Sequence, residues 1–208
     1  MKKLEKYTAP LGMIGVIAYF IHTILGQILW SSYNPITTYI SSLTAVGAPN
    51  RDLLLIFTNI YGIAMLLFTL GLVIKSFRKY PFALKTGYIV MFIMQLVSFI
   101  GFGFFPLVGD ITEINFSNIM HIIVTVIVVF TSLASNYFLA YGYLKQKNKL
   151  GKFILIMAIV ITIAGFTNPI SMGLKLNILG LTERLVIYSL QFTIFVISAY
   201  YTFNKLER

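Results

Sequence analysis

Residues 53–74 read LLLIFTNIYGIAMLLFTLGLVI, 22 residues without a charge, bounded by Asp52 on one side and Lys75 on the other. At about 1.5 Å of rise per residue, a helix of that length covers about 33 Å, enough to cross the hydrocarbon core of a bilayer. Five further apolar runs lie near residues 11–30, 87–106, 118–143, 153–170 and 182–203. Together they predict an all-α, polytopic membrane protein: a six-transmembrane-helix bundle forming a single transmembrane domain over residues 1–208. Composition leads to the same place. Of the 208 residues 58% are apolar and only 11% charged, against about 25% charged in soluble domains, so a water-facing surface cannot be built. The first run follows the basic start MKKLEK, as a signal peptide does. It is longer than a signal peptide's apolar region and no small-x-small cleavage site closely follows, so it is expected to remain as the first span.

The net charge of +10 comes from 16 Lys+Arg against 6 Asp+Glu, a balance that in a soluble protein would point to nucleic acid. The positions of the charges point elsewhere. Lys2, Lys3 and Lys6, then Lys75, Arg78, Lys79 and Lys85, then Lys145, Lys147, Lys149 and Lys152, then Lys205 and Arg208 fall on one side of a six-span topology. That side holds 13 basic residues, and the other only Arg51, Lys175 and Arg184. The positive-inside bias therefore predicts both termini in the cytoplasm. The basic connections suit an anionic inner leaflet, so membrane lipids are the expected partners and no nucleic acid is required. Four acids, Asp52, Asp110, Glu113 and Glu183, then lie outside. Tyr7, Tyr80, Tyr143 and Tyr201 near inner helix ends, with Trp30, Tyr33 and Tyr39 near outer ones, fit interfacial aromatic belts. The absence of cysteine excludes disulfides, thiolate metal ligands and a catalytic thiol. The high Lys, Ile and Asn content suggests a bacterial cell membrane.

The longest outer connection runs from Ser31 to Asn50. Asn34 before Pro35 reads as a helix N-cap followed by proline at the first helical position. Ile36, Tyr39, Ile40 and Leu43 then repeat at helical spacing and Gly47 suits a stop, which predicts a short amphipathic helix lying on the outer interface. At the far end, Thr182 is a fair N-cap for the last span, with Glu183 complementing the helix dipole. Arg184 cannot pair with its neighbour Glu183, since adjacent helical residues diverge by about 100°, so Asp52, Asp110, Glu113 or an anionic headgroup is its expected partner. Pro106 and Pro169 mark the outer ends of the third and fifth spans.

Strongly polar side chains within membrane spans normally face the bundle interior. On the first span Gly12, Gly15, Tyr19 and Gly26 fall within about 80° of His22, so this small-residue face is expected to pack inward and carry the histidine with it. On the fourth span Asn118, Thr125, Ser132, Ser135 and Asn136 lie within about 60° of His121, a polar stripe along the helix. Glu183, Gln191 and Ser198 share a face of the sixth. His22 lies roughly 12 Å below the outer interface and His121 only about 5 Å, so the two are not expected to share a metal. Zinc needs three or four ligands, no HExxH spacing occurs, and neither a metal nor a cofactor is expected.

These outer-end features resemble the family known as domain of unknown function 998, small multi-span membrane proteins of bacteria and archaea. The likeness rests on Tyr39-Ile40-Ser41-Ser42-Leu43-Thr44-Ala45 after the first span and on Phe105-Pro106 with Asp110 after the third. It continues with His121 opening the fourth span and Gly180-Leu-Thr-Glu183-Arg184 opening the last. The family has an acid where Ser42 stands and a glycine where Thr44 stands, so Ser42 contributes at most a hydroxyl to any site there. The order of spans and the loop motif are also similar to a eukaryotic group of stress-related and lipid-trafficking six-span proteins. Neither likeness implies a defined activity.

Three functions compete. A non-enzymatic protein would bind a lipid or small amphiphile in an outward-opening polar cavity, with His121, Arg184, Glu183, Asp110, His22, Asn118 and Ser42 as candidate contacts. An accessory subunit would use its polar stripes to bind partner helices. A lipid hydrolase or transferase would use His121 as general base with the outer-face acids. The thin inventory of catalytic groups places the binding reading first.

Overall fold

The computed structural model describes residues 7–111 and 113–204. Six helices are long and apolar enough to cross a membrane: α1 Leu11–Leu29, α2 Arg51–Lys79, α3 Phe82–Phe104, α4 Phe116–Lys145, α5 Lys149–Gly173 and α6 Leu179–Phe203. No strand occurs among the described residues beyond one isolated bridge, Val46 to Val108. Every consecutive pair of helices packs side by side and α1 closes on α6, the slightest of the six seams. An even number of spans leaves the start of α1 and the end of α6 at the same end, where the Ser198 hydroxyl donates to the Ala9 carbonyl at 2.6 Å. This end carries the tight turns at 80–81 and 146–148; the opposite end carries the three longer loops.

The helices begin where the sequence offers caps. Asn115 and Asn148 each accept an amide hydrogen with the side chain, from Asn118 and Leu150, both at 2.9 Å. Pro10 and Pro81 precede α1 and α3, where a missing N–H costs nothing. The inward face expected for α1 is the one observed: Gly12, Gly15, His22 and Gly26 are all buried. A Cβ on Gly12 would stand 2.7 Å from that of Ser198, so α1 and α6 approach closely at the short-turn end. The expected stripe on α4 is buried at Asn118, His121, Ser132, Ser135 and Asn136, whereas Thr125, expected with them, is exposed. Of its deeper members Ser135 reaches another helix, donating to the Gly87 carbonyl at 2.9 Å. Ser132 and Asn136 return to carbonyls of α4 itself.

Four local expectations change. The fifth span does not stop at Pro169; α5 continues to Gly173. The proline removes one bond, to the carbonyl of Gly165. The extra turn is closed by Leu174 N–H to Ile170 O and Leu176 N–H to Ser171 O, both at 2.9 Å. Thr182 is not the cap of α6, which starts three residues earlier; its hydroxyl donates to the Leu179 carbonyl at 3.0 Å.

The segment after α1 forms a turn at residues 35–37 and a single 3-10 turn over Ser41–Thr44, in place of the amphipathic helix. Pro35 O, Ile36 O, Thr38 O and Ile40 N–H are engaged by α6, as set out below, and the segment keeps only short local bonds such as Thr38 N–H to Asn34 O at 2.8 Å. Finally, Lys75, Tyr80, Tyr143 and Tyr201 do not lie on the protein surface near the helix ends; they are buried inside the bundle together with Tyr88. Lys75 is 3% exposed within α2, its Nζ 4.5 Å from the Tyr201 ring centre. The Tyr88 hydroxyl lies 2.6 Å from that of Tyr143 and 3.0 Å from that of Tyr201, and Tyr143 also bonds Tyr201. Tyr201 donates to Tyr80 at 2.9 Å, completing a buried phenol network that ties α3, α4 and α6 together. Of the basic residues used to orient the chain, Lys2, Lys3, Lys6, Lys205 and Arg208 lie outside the described residues.

Candidate functional site

The candidate residues fall into three groups, each with its own contacts. The first is built on the start of α6. Gly180 has no Cβ, and one placed there would lie 2.3 Å from the Thr38 carbonyl oxygen and 2.8 Å from that of Pro35. The loop can therefore lie directly on the helix. Arg184 uses that proximity: its Nη1 donates to Pro35 O at 2.7 Å, Thr38 O at 3.0 Å and Gly180 O at 2.9 Å, and its Nη2 to the Tyr33 hydroxyl at 2.5 Å. Only 7% of the residue is exposed.

Glu183 points the other way and accepts the Ile40 amide at 2.5 Å. Leu181 N–H, one of the orphan donors at the helix start, is met by Ile36 O at 2.9 Å. The predicted acid partner for Arg184 is thus replaced by loop carbonyls and a phenol. Tyr33 donates in turn to the Tyr39 carbonyl at 2.7 Å, and burial pushes its hydroxyl up to about 12 against the lowering influence of Arg184. Burial raises the Tyr39 hydroxyl as well. Held this way, the loop sends Ile40 and Leu43 into a buried apolar group with Tyr33 and Leu54, against Tyr19 and Tyr188. Ser42 sits half-buried in the 3-10 turn, its carbonyl accepting from Ala45.

The second group anchors the loop between α3 and α4. Asn118, 1% exposed, accepts Val108 N–H at 2.9 Å and donates to the carbonyls of Val108, Asp110 and Glu113 at 2.9, 3.0 and 3.1 Å. His121 bonds through Nδ1 to Phe105 O at 2.9 Å and lies against the Phe102 ring. Asp110 is fixed by its backbone, with its amide on Glu113 Oε1 at 3.2 Å. Val46 N–H to Leu107 O at 2.8 Å joins this loop to the first.

The third group lies within the membrane-spanning part. His22, 2% exposed, has neither ring nitrogen hydrogen-bonded. It neighbours Tyr19, ring centres 5.7 Å apart, and Tyr19 packs on Tyr61 at 5.0 Å. The Tyr61 hydroxyl accepts from Gln191 Nε2 at 2.9 Å, and Gln95 approaches the same hydroxyl without hydrogen-bond geometry. Gln95 Nε2 and Gln191 Oε1 are also buried without partners. Counted from the long-loop helix ends at about 1.5 Å per residue, His22, Gln95, Tyr61 and Gln191 lie within roughly 10 Å of one level. Arg184 Nε, unpartnered as well, stands two turns nearer the long-loop end on the Gln191 helix.

Of this cluster the sequence marked His22 as a candidate and noted Tyr19 and Gln191 on polar faces; Tyr61 and Gln95 were missed. Gln95 carried a usable signal, since it is the one carboxamide in the run 87–106. Tyr61 carried none, because a phenol in an apolar run reads as core. Among the described residues no three His, Cys, Asp or Glu side chains stand together as metal ligands would.

No curated protein and no solved structure matches the chain. A family model does, over residues 13–200, almost the whole of the six-helix bundle. The chain accordingly belongs to the family described as protein of unknown function DUF998.

Proposed function

We propose that this multi-span membrane protein binds a lipid or small amphiphile at a polar site between its helices that opens toward the outer face. The observation that carries this reading is the buried, unpartnered set His22, Gln95 Nε2 and Gln191 Oε1. In hydrocarbon an unsatisfied polar atom costs several kcal/mol, so a set gathered from three helices favours a visiting polar group as its partner. The 13-to-3 distribution of basic residues supports cytoplasmic termini. In that orientation the 31–50 loop lies on the outer side, and the basic turns lie against anionic lipids of the inner leaflet. The composition supports a bacterial cytoplasmic membrane.

The test is native mass spectrometry with lipidomics on gently purified protein. A lipid should be retained by the wild type and lost from His22→Leu, with a melting temperature at or above the wild type because an apolar replacement removes an uncompensated polar group, and lost also from Gln191→Leu, whose melting falls by the lost bond to Tyr61. Equal lipid retention in all three proteins would place any bound lipid elsewhere and defeat the reading.

A further inference from the structure

The intramembrane cluster also restricts what it can hold. Its walls, His22, Tyr19, Tyr61, Gln95 and Gln191, carry no formal charge when the imidazole is neutral. The two charges nearest along α6 are already engaged, Arg184 by three carbonyls and a phenol, Glu183 by the Ile40 amide. A phosphate or carboxylate brought here would be a buried ion without a counter-ion. The free atoms are of both kinds: a donor on Gln95, an acceptor on Gln191, and on neutral His22 one of each. Turning either carboxamide over changes which kind faces inward and leaves the gap open. A hydroxyl donates and accepts, so it meets every one of these arrangements.

The route to the cluster is marked as well. On the lipid side of α1 an open, shallow groove of about 370 Å³ is lined by residues of that helix alone, Ile17, Phe20, Ile21, Ile24, Leu25 and Ile28, with no polar surface. Phe20 belongs to this groove and at the same time stacks on Tyr188 of α6, ring centres 5.0 Å apart. Tyr19, beside it in sequence, belongs to the cluster. The α1–α6 seam is locked at the short-turn end, where Met13 N–H donates to Ser198 Oγ at 2.9 Å. Toward the long-loop end the Phe20–Tyr188 pair is a contact between the two helices, and beyond it the 31–50 loop that follows α1 is bonded to the start of α6.

We propose that the ligand is a single neutral amphiphile with a hydroxyl-bearing head, such as a monoacylglycerol. The head occupies the His22–Gln95–Gln191 cluster, and the acyl tail lies in the α1 groove past Phe20, having entered sideways between α1 and α6. This rests on the amphiphile-binding reading above and narrows it. The test uses purified full-length protein titrated with 1-monooleoylglycerol, oleate, lysophosphatidylglycerol and free glycerol, read by native mass spectrometry. One equivalent of monooleoylglycerol should bind at least about tenfold more tightly than the other three, and Gln191→Leu should weaken it about tenfold, its melting lowered only by the lost bond to Tyr61.

The route is read with a dibrominated-acyl monoglyceride on Trp30→Phe/Phe20→Trp and Trp30→Phe/Ile127→Trp. Quenching that saturates at one equivalent is expected at position 20 and not at position 127, which faces lipid on α4. Oleate or lysophosphatidylglycerol binding as tightly would overturn the neutral head while leaving amphiphile binding intact. Equal quenching at both positions would overturn the lateral route. Failure of every amphiphile to bind would overturn the broader reading together with this one. Should Gln191→Leu not fold, the comparison of heads on the unaltered chain still decides.

Discussion

Substituting Gly180 by alanine adds one methyl group and removes no chemistry, yet the seating of the 31–50 loop should not survive it. The new Cβ would meet Thr38 O at 2.3 Å and Pro35 O at 2.8 Å. Reaching ordinary contact, about 3.5 Å, requires a retreat of roughly 1 Å. The bonds from Arg184 to these two oxygens, now 3.0 and 2.7 Å, and from Leu181 N–H to Ile36 O, now 2.9 Å, then lengthen past useful range. Hydrogen bonds to charged groups contribute about 1.5–3 kcal/mol and neutral ones about 1, with partial compensation as the loop resettles. Alanine returns up to about 1 kcal/mol of helix propensity. The net loss should be about 2–3 kcal/mol, or about 5–10 °C of melting temperature in detergent for a chain of this size.

The chain supplies its own probe for this substitution. Trp30 is its one tryptophan, with Nε1 donating to Ser32 Oγ at 2.8 Å and its ring 5.5 Å from that of Tyr33. Its emission should shift to the red and become more accessible to iodide. Gly103→Ala, where a Cβ would meet nothing within 4 Å, is the control and should leave both readouts unchanged. A Gly180→Ala protein with wild-type melting and wild-type Trp30 emission would refute the seating of the loop on α6.

Two further outcomes follow from the same geometry. Asn118→Ala removes the side chain that holds the 105–113 loop at four backbone atoms; about 2–4 kcal/mol should be lost and amide exchange across residues 107–111 should rise. His121→Ala, which gives up one bond to Phe105, should do clearly less. Tyr33 stays protonated in the folded chain until about pH 12, whereas unfolded tyrosine ionises near 10. Above pH 10 the unfolded chain therefore binds fewer protons, and stability falls between about 10 and 12. Tyr33→Phe should be less stable at pH 8 and show a shallower decline over that window; parallel declines would remove Tyr33 from the account.

The spans were legible because each is a long run with one solvent, and the inward face of α1 because glycine and histidine repeat at helical spacing. The 31–50 loop was not, for a physical reason: Asn34, Pro35 and the apolar spacing favour a helix locally. What decides the outcome is Glu183 and Arg184, more than 140 residues away, which claim Ile40 N–H and the Pro35 and Thr38 carbonyls. Local pattern carries no trace of such a competitor. Lys75 misleads in a similar way. A lysine at the end of an apolar run reads as a boundary, and only the phenols from three other elements, Tyr88, Tyr143 and Tyr201 among them, make a buried place beside it. At the candidate site the sequence offered residues one helix at a time. Which of them meet depends on helix rotation, so His22 was visible while its association with Tyr61 and Gln95 was not.

The seam between α1 and α6 joins two helices that leave the ribosome far apart in time. Chains are synthesised from the N-terminus at about 5–20 residues per second, so α1 to α5 reach the bilayer before α6 exists. Throughout that interval His22, Tyr19 and Tyr61 edge an open five-helix arc whose polar side has only lipid to face. Arrival of α6 supplies Gln191 for Tyr61, Ser198 for Ala9 and Arg184 for the waiting loop. Insertion of α6 is therefore a late checkpoint in the assembly of this bundle. A chain that stalls or is truncated before residue 179 presents unmatched polar groups in the membrane, the kind of lesion that insertion chaperones and membrane proteases recognise.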